Sequence, residues 1–177
     1  IPGMTDTAST TSVVQHDRLS LQQGIRTVLA ATLAYWIAGL LHLPGGYWAA
    51  ISAIVVMQSE VGATLTASYD RFAGTALGAA VGWLITLVRH DSIVMFAAGV
   101  LVVMVLCSAL HYKNAGRLGG VTVAIIVLAP HAGAVWKVAV ERFLEVSFGI
   151  VVSLVVALAW TKLSSLIRGI KNEDHST

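Results

Sequence analysis

Long apolar runs separated by short polar segments dominate the chain. Six such runs cover residues 25–43, 47–59, 72–88, 92–110, 118–129 and 143–160. A helix needs about 20 apolar residues to cross the hydrocarbon core of a bilayer, with a range of roughly 17–25. The second and fifth runs are shorter than that and extend only about 20 Å at 1.5 Å per residue. The pattern therefore predicts an all-α membrane protein with six transmembrane helices, of which the second and fifth are short or broken.

Two polar segments interrupt the apolar pattern at matching places. "QSEVGATLTASYDRF" occupies residues 58–72 and "APHAGAVWKVAVERF" occupies residues 129–143, so the second segment follows the first at a spacing of 71 residues without a gap. Because each copy holds three spans, an odd number, the second copy enters the membrane from the opposite side. We therefore expect two inverted three-helix repeats between two tails. The repeats are predicted at 24–91 and 92–160, the polar N-terminal tail at 1–23 and a basic amphipathic cytoplasmic tail at 161–177.

The composition also indicates a membrane protein. Of the 177 residues, 56% are hydrophobic and 11% are charged, and the mean hydropathy is +0.80. Average soluble domains carry about 25% charged residues. The single cysteine, Cys107, rules out a disulfide framework or a thiolate metal site within one chain, and we expect no metal and no cofactor. Residues 1–3 precede Met4 and are expected to be the remnant of an expression tag.

The basic residues predict the orientation of the spans. Cytoplasmic loops carry an excess of lysine and arginine. With the N-terminus placed in the cytoplasm, eight of the 11 basic residues lie on the cytoplasmic side and three lie outside. We therefore expect both termini to be cytoplasmic. The inner group is Arg18, Arg26, Arg71, Lys113, Arg117, Lys162, Arg168 and Lys171, and the outer group is Arg89, Lys137 and Arg142.

Two arginines stand at equivalent positions of the repeat, Arg71 at the start of the third span and Arg142 at the start of the sixth. A guanidinium group matches the two oxygens of a carboxylate. One interpretation is that both arginines contact an anionic substrate from opposite ends of one pathway. The alternative is that Arg71 snorkels to the inner surface, because residues 70–88 already span about 28 Å as a helix.

Three titratable residues are candidates for proton coupling. Glu60 and His131 occupy equivalent positions directly after the two short spans. Ionisable groups in or near a bilayer are costly and usually functional, and histidine titrates near neutral pH. The alternative is that both cap helix ends at the interface. Glu145 follows Arg142 by three residues, a helical spacing that allows it either to neutralise that arginine or to hold its orientation.

Glycines and aromatic residues mark two further features. Gly74, Gly78 and Gly82 recur every four residues, a spacing that allows close approach of two helices, so we expect the third and sixth spans to cross there, with a dimer face as the alternative. Tyr47 and Trp48 are either interfacial aromatics or a stacking surface for an aromatic substrate. The chain has no nucleophile triad, phosphate loop or metal-ligand motif, and we expect that it is not an enzyme.

One segment resembles a known family. Residues 46–85, "GYWAAISAIVVMQSEVGATLTASYDRFAGTALGAAVGWLI", are similar to the signature segment of the fusaric acid resistance family, which includes the aromatic acid exporters and the plant aluminium-activated malate transporters. The likeness extends over residues 24–160. It is carried by Tyr47, Trp48, Ala49, Gln58, Gly62, Ala63, Thr64, Arg71, Gly74 and Gly78.

The resemblance implies a function and an assembly. Members have six-helix membrane units that export or conduct organic anions and assemble in pairs, so we expect this chain to form a homo-oligomer, most simply a dimer, in a bacterial inner membrane. We predict a proton-coupled exporter of small organic or aromatic carboxylates. The alternatives are a passive anion channel and a non-transporting membrane subunit. The predicted substrate-binding residues are Arg71, Arg142, Gln58, Tyr47 and Trp48, and those for proton coupling are Glu60, His131 and Glu145.

Overall fold

The computed structural model describes the backbone of residues 6–88, 92–112, 114–128 and 134–174, and the side chains of these ranges from residue 21 to residue 166. The described residues form six α-helices, which confirms the all-α prediction. Two of them, Val61–Val88 and Val135–Leu166, are apolar enough and long enough to cross a membrane. The helices are α1 (Asp6–Leu40), α2 (Gly46–Val56), α3 (Val61–Val88), α4 (Ile93–Ala109), α5 (Ala115–Leu128) and α6 (Val135–Asp174).

The polar segment after α2 is mostly helical. Helix α3 begins at Val61, so the prediction that the third span begins at residue 72 is wrong. The hydroxyl groups of Thr64, Thr66 and Ser68 donate to the carbonyl oxygens four residues earlier, at 2.8 to 3.1 Å. These bonds satisfy the hydroxyl groups inside the helix, so the polar residues do not interrupt it. The non-helical break is confined to residues 57–60.

Helices α1 and α6 also extend further than their apolar runs. Helix α6 begins at Val135 instead of residue 143 and continues as one helix to Asp174, so the basic tail is a continuation of the span up to that residue. Helix α1 begins at Asp6, within the expected polar tail. The two arginines that we expected at helix starts therefore lie inside helices. Arg71 follows the first residue of α3 by ten residues, and Arg142 follows that of α6 by seven.

Close helix contacts depend on glycines at two equivalent places. A Cβ atom on Gly78 of α3 would collide with the carbonyl oxygen of Gly119 in α5. A Cβ atom on Gly149 of α6 would collide in the same way with the carbonyl oxygen of Ala49 in α2. The glycine series of α3 thus packs against α5, and the expectation that it forms the crossing of the third and sixth spans is wrong.

The contact between α3 and α6 is aromatic. The rings of Phe72 and Phe143 lie with their centroids 5.1 Å apart and their planes at 57°. Beyond this contact, residues later in α3 and earlier in α6 line a shared apolar groove that contains Trp83 and Trp136. The two helices therefore run antiparallel, and they meet at residues that correspond in the predicted repeat.

Helices α1 and α4 end in the same way. His42 and His111 have left-handed φ angles of 53° and 64°. The N–H group of Leu43 bonds to the carbonyl oxygen five residues earlier at 3.0 Å, and that of Tyr112 does so at 2.9 Å. This is the Schellman arrangement, in which glycine usually occupies the left-handed position. Both halves of the chain thus terminate their first helix with a histidine in an uncommon backbone conformation.

The helix packing has a matched organisation. Helix α1 contacts α2 and α6, and α4 contacts α5 and α3; α2 packs on α6, and α5 packs on α3. Two main clusters of buried apolar side chains follow the same division, one shared by α1, α2 and α6 and the other by α3, α4 and α5. Each contact between two helices therefore has a counterpart: if α1, α2 and α3 are replaced by α4, α5 and α6, and the reverse, the same pairs of helices remain in contact.

Candidate functional site

Arg142 lies in a buried cluster between α6 and the start of α2. Its Nη2 atom is 3.0 Å from Oε2 of Glu145, whose side chain is 1% exposed. Its guanidinium carbon lies 4.9 Å from the ring centroid of Trp48 and 5.9 Å from that of Tyr47. Gly45 packs so closely against both charged side chains that a Cβ atom there would collide with them. Four of the predicted site residues are therefore brought together at one point.

The cluster compensates the charge of Arg142 but leaves part of its hydrogen-bonding capacity unused. Glu145 supplies the opposite charge, and the two aromatic faces add cation–π attraction, on the order of 0.5–2 kcal/mol for each such contact. The Nε and Nη1 atoms of Arg142 are buried and have no hydrogen-bond partner among the described residues. The site can therefore still bind an acceptor group of a ligand through the N–H groups of these two nitrogen atoms.

Arg71 occupies a different environment on α3. The residue is 5% exposed, and its Nη2 atom donates to Oγ of Ser52 in α2 at 3.4 Å. Its Nε atom has no hydrogen-bond partner, and among the described residues no carboxylate lies within 4.0 Å. The side chain packs against α2 inside the bundle, so it does not snorkel to a surface. A buried charge without a counter-ion costs several kcal/mol, which makes Arg71 the least compensated cation of the described interior.

Helix α2 connects the two arginine environments. Gly45 at its start contacts the Arg142 cluster, and Ser52 accepts the bond from Arg71. These two positions are seven residues apart, which is about 10 Å along a helix. Both guanidinium groups are thus arranged along one short helix of the bundle.

The other predicted site residues lie elsewhere. Gln58 lies in the break between α2 and α3, where its backbone N–H group donates to Oγ1 of Thr64 at 3.1 Å and its side chain lines a separate cavity. Glu60 is exposed. His131 lies outside the described residues.

That separate cavity contains polar residues that the sequence reading did not select. It has a volume of about 780 Å³ and lies where α2 ends and where α3 and α5 begin. Asp70, 9% exposed, lines it and accepts a hydrogen bond from Nδ2 of Asn114 at 3.2 Å, and Arg117 lines it from α5. The signal in the sequence is an aspartate directly before Arg71 within a membrane span.

The fold and the buried charges define a class of protein: a helical membrane protein with paired and unpaired ionised groups inside its bundle. Residues 33–156 match the family described as fusaric acid resistance protein-like, and the chain belongs to that family. This result confirms the resemblance found in the signature segment.

Curated relatives have names that agree with this class. The uncharacterized transporter YdhK from two strains of Escherichia coli is 30% identical over 168 residues, which cover 88% of this chain and 24% of the relative. The protein of the same name from Salmonella typhimurium is 32% identical over 144 residues, which cover 75% of this chain and 20% of the relative. The chain thus spans about a quarter of the length of the curated relatives it matches. No solved structure matches the chain significantly.

Proposed function

We propose that this chain is the membrane-embedded part of an exporter of small organic or aromatic carboxylates. The observation that carries the proposal is the environment of Arg71, a buried guanidinium group with an unused donor and no carboxylate partner among the described residues. Ionised groups inside membrane helices are costly and mark substrate or ion pathways. A carboxylate that reaches Arg71 supplies the missing charge and binds the free donor.

The proposed architecture is a pair of inverted three-helix repeats. Three features support it: the matched helix neighbours, the identical ends of α1 and α4, and the equivalent glycine contacts of α3 and α6. The spacing between equivalent residues is 69 from His42 to His111 and 71 from Gly78 to Gly149. The difference of two residues between these spacings corresponds to a small difference in loop length between the two proposed repeats.

In such an architecture the two-fold axis passes near the contact of Phe72 with Phe143, because these equivalent residues touch each other. Arg71 and Arg142 immediately precede the two phenylalanines, so both arginines lie close to this axis. Transporters with inverted repeats bind their substrates at the interface between the repeats.

We assign the roles as follows. Arg71 binds the substrate carboxylate directly, and Arg142 provides a second contact through its unused Nε and Nη1 donors. Tyr47 and Trp48 hold the guanidinium group of Arg142 and present aromatic surface to a ring-bearing substrate. Gln58 belongs to the polar cavity near the break after α2, through which we expect the substrate to enter.

Proton coupling is proposed to act through Glu145. With Glu145 ionised, the ion pair holds Arg142 in the orientation that binds the anion. A proton on Glu145 breaks this pair and releases the anion, so proton and anion bind alternately, as export driven by an inward proton gradient requires. Glu141, one turn earlier on α6, is the other carboxylate beside this pair. Glu60 and His131, at the ends of the two short spans, are proposed as the points where protons enter and leave.

The test is carboxylate flux in proteoliposomes with and without a pH gradient. We expect gradient-driven uptake of benzoate or malate by the wild-type chain and an initial rate at least tenfold lower for Arg71→Gln. A hydrogen bond to a charged group contributes about 1.5–3 kcal/mol, and about 1.4 kcal/mol corresponds to tenfold. Lys137→Gln, a change of an exposed basic residue on α6, is the matched control and should leave the flux unchanged.

The other outcomes separate the alternative functions. Carboxylate flux that is the same with and without the pH gradient indicates a passive anion channel on the same scaffold. Absence of flux, together with co-purification of another protein, indicates a non-transporting subunit. Equal flux by wild type and Arg71→Gln would show that Arg71 does not contact the substrate.

A further inference from the structure

The polar cavity near the break after α2 is separate from both arginine environments. Neither Arg71 nor Arg142 lines it. Its charged walls are Asp70 on α3 and Arg117 on α5, and its volume of about 780 Å³ is in the range of small-molecule sites, roughly 300–1,000 Å³. Two elements that begin at the same end of the bundle thus place opposite charges in one cavity.

These opposite charges do not neutralise each other. Asp70 and Arg117 form no ion pair within 4.0 Å, although both line the cavity. Asp70 is 9% exposed and receives a hydrogen bond from the neutral amide of Asn114, whereas Arg117 is exposed. The cavity is therefore lined by one buried negative group and one exposed positive group.

The remaining walls complete the description of a ligand site. Gln58 and Thr66 contribute polar groups, while Ala63, Ala67 and Leu118 contribute apolar surface. A ligand with only a negative charge would place that charge in the same cavity as the Asp70 carboxylate. A ligand with only a positive charge would make no use of Arg117.

We propose that this cavity binds a small zwitterion, with its ammonium group at Asp70, its carboxylate at Arg117 and an apolar body between them. The proposal rests on the function proposed above and narrows it, since it selects carboxylates that also carry a cationic nitrogen. The ligand would occupy this cavity before it reaches Arg71.

The test compares three ligands of one shape by calorimetric titration of the purified chain. They are para-(aminomethyl)benzoate, which is a zwitterion, para-methylbenzoate, which has only the carboxylate, and benzylamine, which has only the ammonium group. We expect the zwitterion to bind about tenfold more tightly than either analogue, because each analogue lacks one of the two charge-assisted hydrogen bonds.

Two variants test whether Asp70 and Arg117 produce the preference for the zwitterion. Asp70→Asn keeps the size of the side chain and should remove the preference for the zwitterion over para-methylbenzoate. Arg117→Gln changes an exposed side chain and should remove the preference over benzylamine. Glu141→Gln, at the equivalent position of the second repeat, is the control and should leave both preferences unchanged.

Several results would overturn the proposal. They are equal binding of the zwitterion and para-methylbenzoate, equal binding of the zwitterion and benzylamine, a preference over para-methylbenzoate that persists in Asp70→Asn, and absence of binding. The binding preference should also persist in Arg71→Gln, whose flux is lost. Failure of this inference is therefore distinguishable from failure of the transport proposal.

Discussion

At the scale of single residues, the most constrained charge in the bundle is Glu145. It is 1% exposed and lies 3.0 Å from Arg142, with Gly45 against both side chains. The helical spacing of three residues made this local pair predictable from the sequence. The surrounding rings of Tyr47 and Trp48 were not predictable as its neighbours, because their approach depends on how α2 packs against α6.

We predict that removal of one partner of this pair costs more stability than removal of both. Glu145→Gln leaves Arg142 buried without a counter-ion, and such a change typically costs about 3–5 kcal/mol. The double variant Glu145→Gln/Arg142→Gln has no uncompensated charge and should be more stable than Glu145→Gln alone. Denaturant unfolding in detergent measures the difference.

Glu60→Gln serves as the control, because its side chain is exposed and a surface change of this kind typically alters stability by less than about 0.5 kcal/mol. A double variant that is less stable than Glu145→Gln would contradict this account of the cluster.

At the scale of helices, glycine contacts set how closely α3 and α6 approach their neighbours. We predict that Gly78→Ala and Gly149→Ala each destabilise the chain by about 1–3 kcal/mol or more, because the added methyl group meets a backbone carbonyl oxygen that cannot move independently. The temperature or denaturant midpoint of unfolding measures the effect.

Gly62→Ala is the matched control within α3. A Cβ atom there has no neighbour within 4 Å, so the substitution should gain up to about 1 kcal/mol from helix propensity. If Gly78→Ala were as stable as Gly62→Ala, that result would contradict the close packing of α3 against α5 at Gly78.

Helix types and lengths were partly predictable from the sequence. The second and fifth helices are short, as expected: α2 has 11 residues and α5 has 14 residues. The sequence pattern places the starts of α3 and α6 too late, because the polar segments at residues 58–72 and 129–143 interrupt the apolar runs, although most of each segment is helical. In the structure the hydroxyl groups of Thr64, Thr66 and Ser68 bond within the helix.

At the scale of the whole molecule, the predicted orientation places the start of α6 outside the cell and its later part inside. Lys137 and Lys162 are both exposed and are 25 residues apart on α6, about 38 Å along a helix and more than the roughly 30 Å hydrocarbon core. One helix therefore offers reporters for both sides of the membrane.

We predict that Lys137→Cys reacts with an impermeant maleimide in intact cells, whereas Lys162→Cys reacts only after permeabilisation. Cys107→Ser provides the background, since Cys107 is 1% exposed. If Lys162→Cys reacted in intact cells and Lys137→Cys only after permeabilisation, the orientation of α6 would be opposite to the prediction. If both reacted in intact cells, α6 would not span the bilayer.

The sequence by itself determined the class of protein and the succession of helices. These properties depend on apolar run length, composition and spacing along the chain, which are local. Only the tertiary structure decided which buried group contacts which. The bond from Arg71 to Ser52 joins residues 19 apart, and the bond from Asn114 to Asp70 joins residues 44 apart. Such contacts depend on how closely glycine allows helices to pack, and the sequence pattern alone does not specify that geometry.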